Sequence, residues 1–193
     1  MRRWFRFWFC PVNQEALDLH HYFHRTSSAT KEMTITAFLG ALAAIFQSAG
    51  GLMPGVGYLI SPLATAPIVL GTVYSTRSGF TAYLLSMALL VIIQPSELIV
   101  FPFTTGLMGL GIGAGFVYLK TRITILALAS FLLAAGIAIV LYGLRFPLFG
   151  PSIGSDIAVI HVVALCLFSF LYCGLWVEIS LICFRKLRMM LEF

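Results

Sequence analysis

Polar side chains are so sparse beyond residue 33 that the apolar runs can be read off directly. Six of them, at 34–52, 56–75, 79–95, 98–119, 123–144 and 157–184, each approach or exceed the roughly 20 residues an α-helix needs to cross a hydrocarbon core. Turn chemistry separates them: "GGLMPG" (50–55), "STRSG" (75–79), "QPSE" (94–97) and "FPLFGPSIGSD" (146–156) concentrate Gly, Pro and Ser. Near-continuous hydrophobicity without period-2 alternation excludes a transmembrane barrel. The pattern predicts an all-α integral membrane protein with six transmembrane helices. Two spans carry internal marks. Pro62 and Pro67 in the second each remove a backbone hydrogen bond and predict a kinked or broken outer half. The fourth spaces Gly109 and Gly113, and Gly111 and Gly115, as two GxxxG pairs, which predicts close packing against neighbouring helices.

Composition agrees. Of 193 residues, 60% are hydrophobic and 10% charged, against about 25% charged in soluble domains. Charge then orients the bundle. With the N-terminus inside, only Arg145 of the twelve Lys and Arg residues lies outside, so the positive-inside rule gives N-in, C-in. The same bias accounts for the net charge of +5 and calls for no nucleic-acid partner. Three parts follow: residues 1–33 as a cytosolic or interfacial N-terminal segment, 34–188 as the six-helix domain, and 189–193 as a cytosolic tail. The start, "MRRWFRFWFC", is interrupted by Arg6 and lacks a small-x-small cleavage site, so it reads as an interfacial anchor rather than a signal peptide.

Candidate chemistry is thin. The sequence has no P-loop, GxSxG elbow or HExxH motif, which argues against an enzyme and against an ATPase within the chain. Cys10, Cys166, Cys173 and Cys183 have no CxxC spacing, and the last three, in one apolar stretch, read as buried thiols. His20 and His24 are four apart in "DLHHYFH" (18–24) and could share one helix face, but the segment reads as a solvated membrane-surface helix and no metal or cofactor is assigned. Glu178 is expected to snorkel toward the inner interface, with Arg185 two turns further on. The outer side gathers Gln47, Tyr58, Gln94, Glu97, Tyr142, Arg145, Asp156 and His161. Polar groups converging near membrane depth make a candidate small-molecule pocket, and each also has a structural alternative, as a solvated or paired loop residue. In the first span, "TAFLGALAAIF" (36–46) pairs Ala37 with Ala41 and Gly40 with Ala44. This small-residue stripe fits either a partner or internal packing.

These features together resemble the substrate-binding S-components of energy-coupling factor (ECF) transporters. The residues that carry the resemblance are "AFLGA" (37–41), similar to an AxxxA motif in the first helix, "PIVLGTVYSTRSGFTAYLLS" (67–86), and "TGLMGLGIGAGFVYLKTR" (105–122). The resemblance covers roughly residues 34–188. It implies a plasma-membrane protein that captures a small vitamin-like compound from outside, in a pocket formed by the outer ends of helices four to six and the loop "SAGGLMPGVGY" (48–58). It further implies partners: a transmembrane coupling subunit, met by the AxxxA face, and two ATPase subunits. The competing expectation is a non-transport assembly or regulatory subunit acting through helix packing and its N-terminal segment.

Overall fold

The computed structural model describes residues 8–9, 11–53, 55–144 and 159–191. Helix α1 is Gln14–Thr26 and α2 is Ala29–Leu52. A short turn of helix α3, Gly57–Ile60, runs through a 3-10 turn, Ser61–Ala64, into α4, Thr65–Tyr74. Helix α5, Thr76–Ile93, is followed by the short α6, Glu97–Val100, and by α7, Thr105–Tyr118. Helix α8, Arg122–Ala138, ends in a π-helical turn, Ile139–Gly143, and α9 is Val159–Leu191. Six stretches are long and apolar enough to cross a membrane: Ala29–Leu52, Gly57–Tyr74, Thr76–Ile93, Glu97–Tyr118, Arg122–Gly143 and Ile160–Leu191. The protein is an all-α, multi-pass membrane protein.

Local chemistry explains where the spans depart from the apolar runs. The first begins at Ala29 because Ser28 caps it, its side chain accepting from the Lys31 N–H at 3.4 Å, and Glu32 sits favourably in the first turn. The polar residues 29–33 therefore belong to the helix. In the second span, Pro62 falls in the 3-10 turn, where a proline's missing N–H costs least. At the reversal into this span, Gly55 has φ +83°, a left-handed conformation that favours glycine. Gly57 then sits directly on the Ala49 carbonyl, so this connection is tightly packed.

Helix α4 is central: it packs on α2, α5, α7 and α1. One core cluster joins α2, α4, α5 and the α6 turn through Ala43, Ala44, Ile68, Leu90 and Phe101. The other joins α1, α4, α7, α8 and α9, with Phe116 set edge-on to Phe184 at a 5.0 Å ring separation. The glycine pairs of α7 serve both sides. A Cβ on Gly109 would lie 2.9 Å from Ile68, and one on Gly113 would lie 2.5 Å from Thr72, both on α4. Gly111 and Gly115 face Leu132 and Ile125 of α8 in the same way. With no side chain on either flank, α7 can lie between two helices at close range.

Helix α1 is docked on the bundle by one face, while Asp18, His21, Tyr22, His24 and Arg25 stay exposed on the other. Ala16 and Leu19 are buried in the second core cluster. The Val12 N–H donates to the Lys120 carbonyl (3.1 Å), His20 Nδ1–H donates to the Val73 carbonyl (2.9 Å), and the Ser27 and Tyr74 hydroxyls are hydrogen-bonded. Glu15 pairs with Arg185 and Asp18 with Arg188, each at 3.1 Å. One ring nitrogen of His20 is therefore engaged in seating α1 on the ends of α4, α7 and α9. Glu178 finds its partner at the same end of the bundle. It pairs with the buried Arg122 at 3.2 Å and ties α9 to the start of α8, while Arg185 pairs with Glu15.

Candidate functional site

At the end of the bundle opposite α1, an apolar interior gives way to a cluster of buried polar side chains. The last turns of α2 supply Gln47 and Ser48, the 3-10 turn supplies Ser61, and α4 supplies Thr65. Thr104 and Thr105 come from the start of α7; all six are buried. Gln47 is only 1% exposed, so its amide must find partners inside the protein. It does: the Thr105 hydroxyl donates to Gln47 Oε1 at 2.6 Å, and Gln47 Nε2 donates to Glu97 Oε2 at 2.7 Å. These partners fix which way the amide points. The Thr65 hydroxyl donates to the Thr105 carbonyl at 3.3 Å, binding α4 to the same network.

Glu97 closes the chain of bonds. Gln47 holds one carboxylate oxygen, and the other lies against Gly50, where a Cβ would be 2.9 Å from Oε1 and 3.3 Å from the Ser61 hydroxyl oxygen. Among the described residues no cation pairs with Glu97; the ion pairs are those of Arg122, Arg185 and Arg188, all toward the α1 end. The turn that carries α6 into α7 is braced from α5. Tyr83 stacks on the fully buried Phe101 at 5.6 Å, and its hydroxyl donates to the Pro102 carbonyl at 3.1 Å. The result is a carboxylate oriented by a buried amide on a rigid floor, with one oxygen left for a hydrogen-bond donor. That arrangement suits binding.

Of the residues predicted to converge here, the structure joins Gln47 and Glu97 directly. Gln94 packs on Gly51 nearby, with its Nε2 donating to the Ser96 hydroxyl at 3.1 Å. Tyr58 is 70% exposed. Tyr142, in the π-helical turn, and His161, near the start of α9, are half-buried. No hydrogen bond among the described residues links either of them to the Gln47 network, and His161 Nδ1 is buried there without a partner. Arg145 and Asp156 lie outside the described residues. Sequence reasoning missed Thr105, Thr65, Ser61 and Gly50. The available signal was the doublet Thr104–Thr105, two hydroxyls opening a glycine-rich apolar run.

The small-residue stripe of α2 divides in two. Gly40 and Ala44 face inward: a Cβ on Gly40 would lie 3.0 Å from the Ala82 carbonyl oxygen, and the Ser86 hydroxyl donates to the Gly40 carbonyl at 2.9 Å. Ala44 is fully buried. Both positions are thus taken by packing within the chain, which corrects their reading as partner contacts. Ala37 is exposed and Ala41 half-buried, leaving a narrower outward face. No known protein family matches the sequence, and no characterised protein or solved structure matches the chain.

Proposed function

We propose that this protein is the substrate-binding subunit of an ECF-type importer. It takes a small vitamin-like compound at the Gln47–Glu97–Thr105 cluster and passes it inward with a separate coupling subunit and two ATPases. The observation that carries this reading is Glu97: a carboxylate at one end of a membrane bundle, oriented by a buried amide through one oxygen, with no cation paired to it among the described residues. An ionisable group at such depth is costly unless it serves a ligand or a pathway. The absence of a P-loop supports reliance on external ATPases, and the outward Ala37–Ala41 face supports a flat docking surface for the coupling subunit. In this reading the α1 end is cytoplasmic, in keeping with the positive-inside rule, the cluster opens outward, and the protein resides in the cell membrane.

The test is affinity purification of the tagged protein from its native membrane in mild detergent. A membrane subunit and two ATPase chains are expected to co-purify, and Ala41→Trp is expected to remove them while leaving the protein folded. Recovery of the protein without any ATPase, or of the same partners with Ala41→Trp, contradicts the proposal.

A further inference from the structure

A second site lies at the α1 end, on the flank of the bundle. The first turns of α2 and α5 run side by side there and enclose a groove of ≈ 450 Å³. Its lining combines the charged Glu32 from α2 and Arg77 from α5 with the hydroxyls of Thr36, Ser78 and Thr81 and the apolar Met33, Ala37 and Leu85. The two charges do not neutralise each other. Glu32 Oε1 instead accepts from the Ser78 hydroxyl at 2.8 Å, and Arg77 is exposed and forms no ion pair among the described residues. The flank around the groove is apolar and open: Met33 is 70% exposed, Phe38 64% and Phe80 53%.

We propose that this groove binds a zwitterionic aminophospholipid of the phosphatidylethanolamine type. The phosphate lies on Arg77, the ammonium on Glu32, and the glycerol and upper acyl chain lie along Met33, Ala37 and Leu85. Charge selects the headgroup. A purely anionic headgroup satisfies Arg77 but is repelled by Glu32, and a lone cation meets the reverse. A headgroup with both charges a few bonds apart satisfies both at once, and the carboxylate is already aimed by Ser78. A choline headgroup has the charge but no N–H to donate, so it forfeits the charge-assisted hydrogen bond. A phosphoserine headgroup adds a second carboxylate beside Glu32. The exposed Met33, Phe38 and Phe80 at and beside the groove offer a surface for hydrocarbon, which favours a lipid over a water-soluble zwitterion. Both charges sit in the first turns of membrane-spanning helices, the depth of the headgroup layer. The groove shares Ala37 with the face that the transport reading gives to the coupling subunit, but the lipid is tested on the chain alone, so its failure and the failure of that reading are distinguishable.

The experiment is native mass spectrometry of the full chain, delipidated in detergent and then offered phosphatidylethanolamine, phosphatidylcholine and phosphatidylglycerol in turn at equal concentration. One equivalent of phosphatidylethanolamine is expected to be retained about tenfold over phosphatidylcholine, the scale of one hydrogen bond to a charged group. Glu32→Gln, which keeps an acceptor for Ser78, is expected to erase that preference while leaving lipid binding itself. Arg77→Gln is expected to weaken retention of every phospholipid, with thermal unfolding of both variants unchanged. Equal retention of the three lipids, a preference that survives Glu32→Gln, or no retention at all overturns the proposal. So does a finding that Glu32 and Arg77 matter only for holding a partner protein.

Discussion

At the scale of single residues, Gln47 does more than any other side chain to hold the far end of the bundle. It accepts from Thr105 and donates to Glu97, so one amide links α2, α6 and α7. Replacing it with leucine strands the buried Thr105 hydroxyl and removes the donor that holds the half-buried Glu97 carboxylate. The cost of such orphaned groups is about 1–3 kcal/mol. Gln47→Leu is therefore expected to lower stability by that amount in thermal or denaturant unfolding of the detergent-solubilised protein. Tyr58→Ala, at a 70% exposed side chain, is expected to leave it unchanged. The weight of Gln47 was partly legible in the sequence, because an amide inside an apolar run demands partners. Thr105 was not, since a threonine in a helix commonly satisfies its hydroxyl on its own backbone, as Thr72 does on the Ile68 carbonyl.

At the scale of elements, α7 depends on being smooth and α1 on being docked. Gly113→Val drives a branched side chain into Thr72 of α4 and is expected to destabilise by about 1–3 kcal/mol, the usual cost of overpacking. Gly174→Ala is the control: a Cβ there meets Leu126 at 3.9 Å, an ordinary contact, and alanine favours helix, so stability is expected to hold or rise. For α1, Leu19→Asp places a charge at a 2% exposed position and is expected to cost about 2–4 kcal/mol. Limited proteolysis then cuts within residues 14–26 before the spans unfold. Neutralising Glu15 or Asp18, whose ion pairs are largely solvent-exposed, is expected to cost less than about 1 kcal/mol. The spans themselves were legible because apolar length and Gly/Pro punctuation define them locally. The docking of α1 was not. It rests on contacts between Val12 and Lys120, His20 and Val73, and Glu15 and Arg185, residues far apart in sequence whose meeting no local pattern announces. For the same reason periodicity could not tell that Gly40 packs on α5 and Ala44 is buried while Ala37 faces out.

At the scale of the whole molecule, the proposed account has two ends with different work. The α1 end is braced by ion pairs and carries the outward Ala37 face; the opposite end holds the Gln47–Glu97–Thr105 cluster. Its orientation can be checked with a membrane-impermeant thiol reagent, on a background in which the four native cysteines are replaced by alanine. Tyr58→Cys is expected to label in intact cells, and Arg25→Cys only after permeabilisation; the reverse pattern places the cluster inside and removes the import direction. The most direct test of the central claim is native mass spectrometry of the protein purified from its own membrane, compared with Glu97→Gln. The account predicts one small molecule bound per chain in the natural protein, with binding weakened about tenfold or more in the variant, as expected for loss of a charge-assisted hydrogen bond. A protein that carries no small molecule, or one that Glu97→Gln retains unchanged, contradicts it.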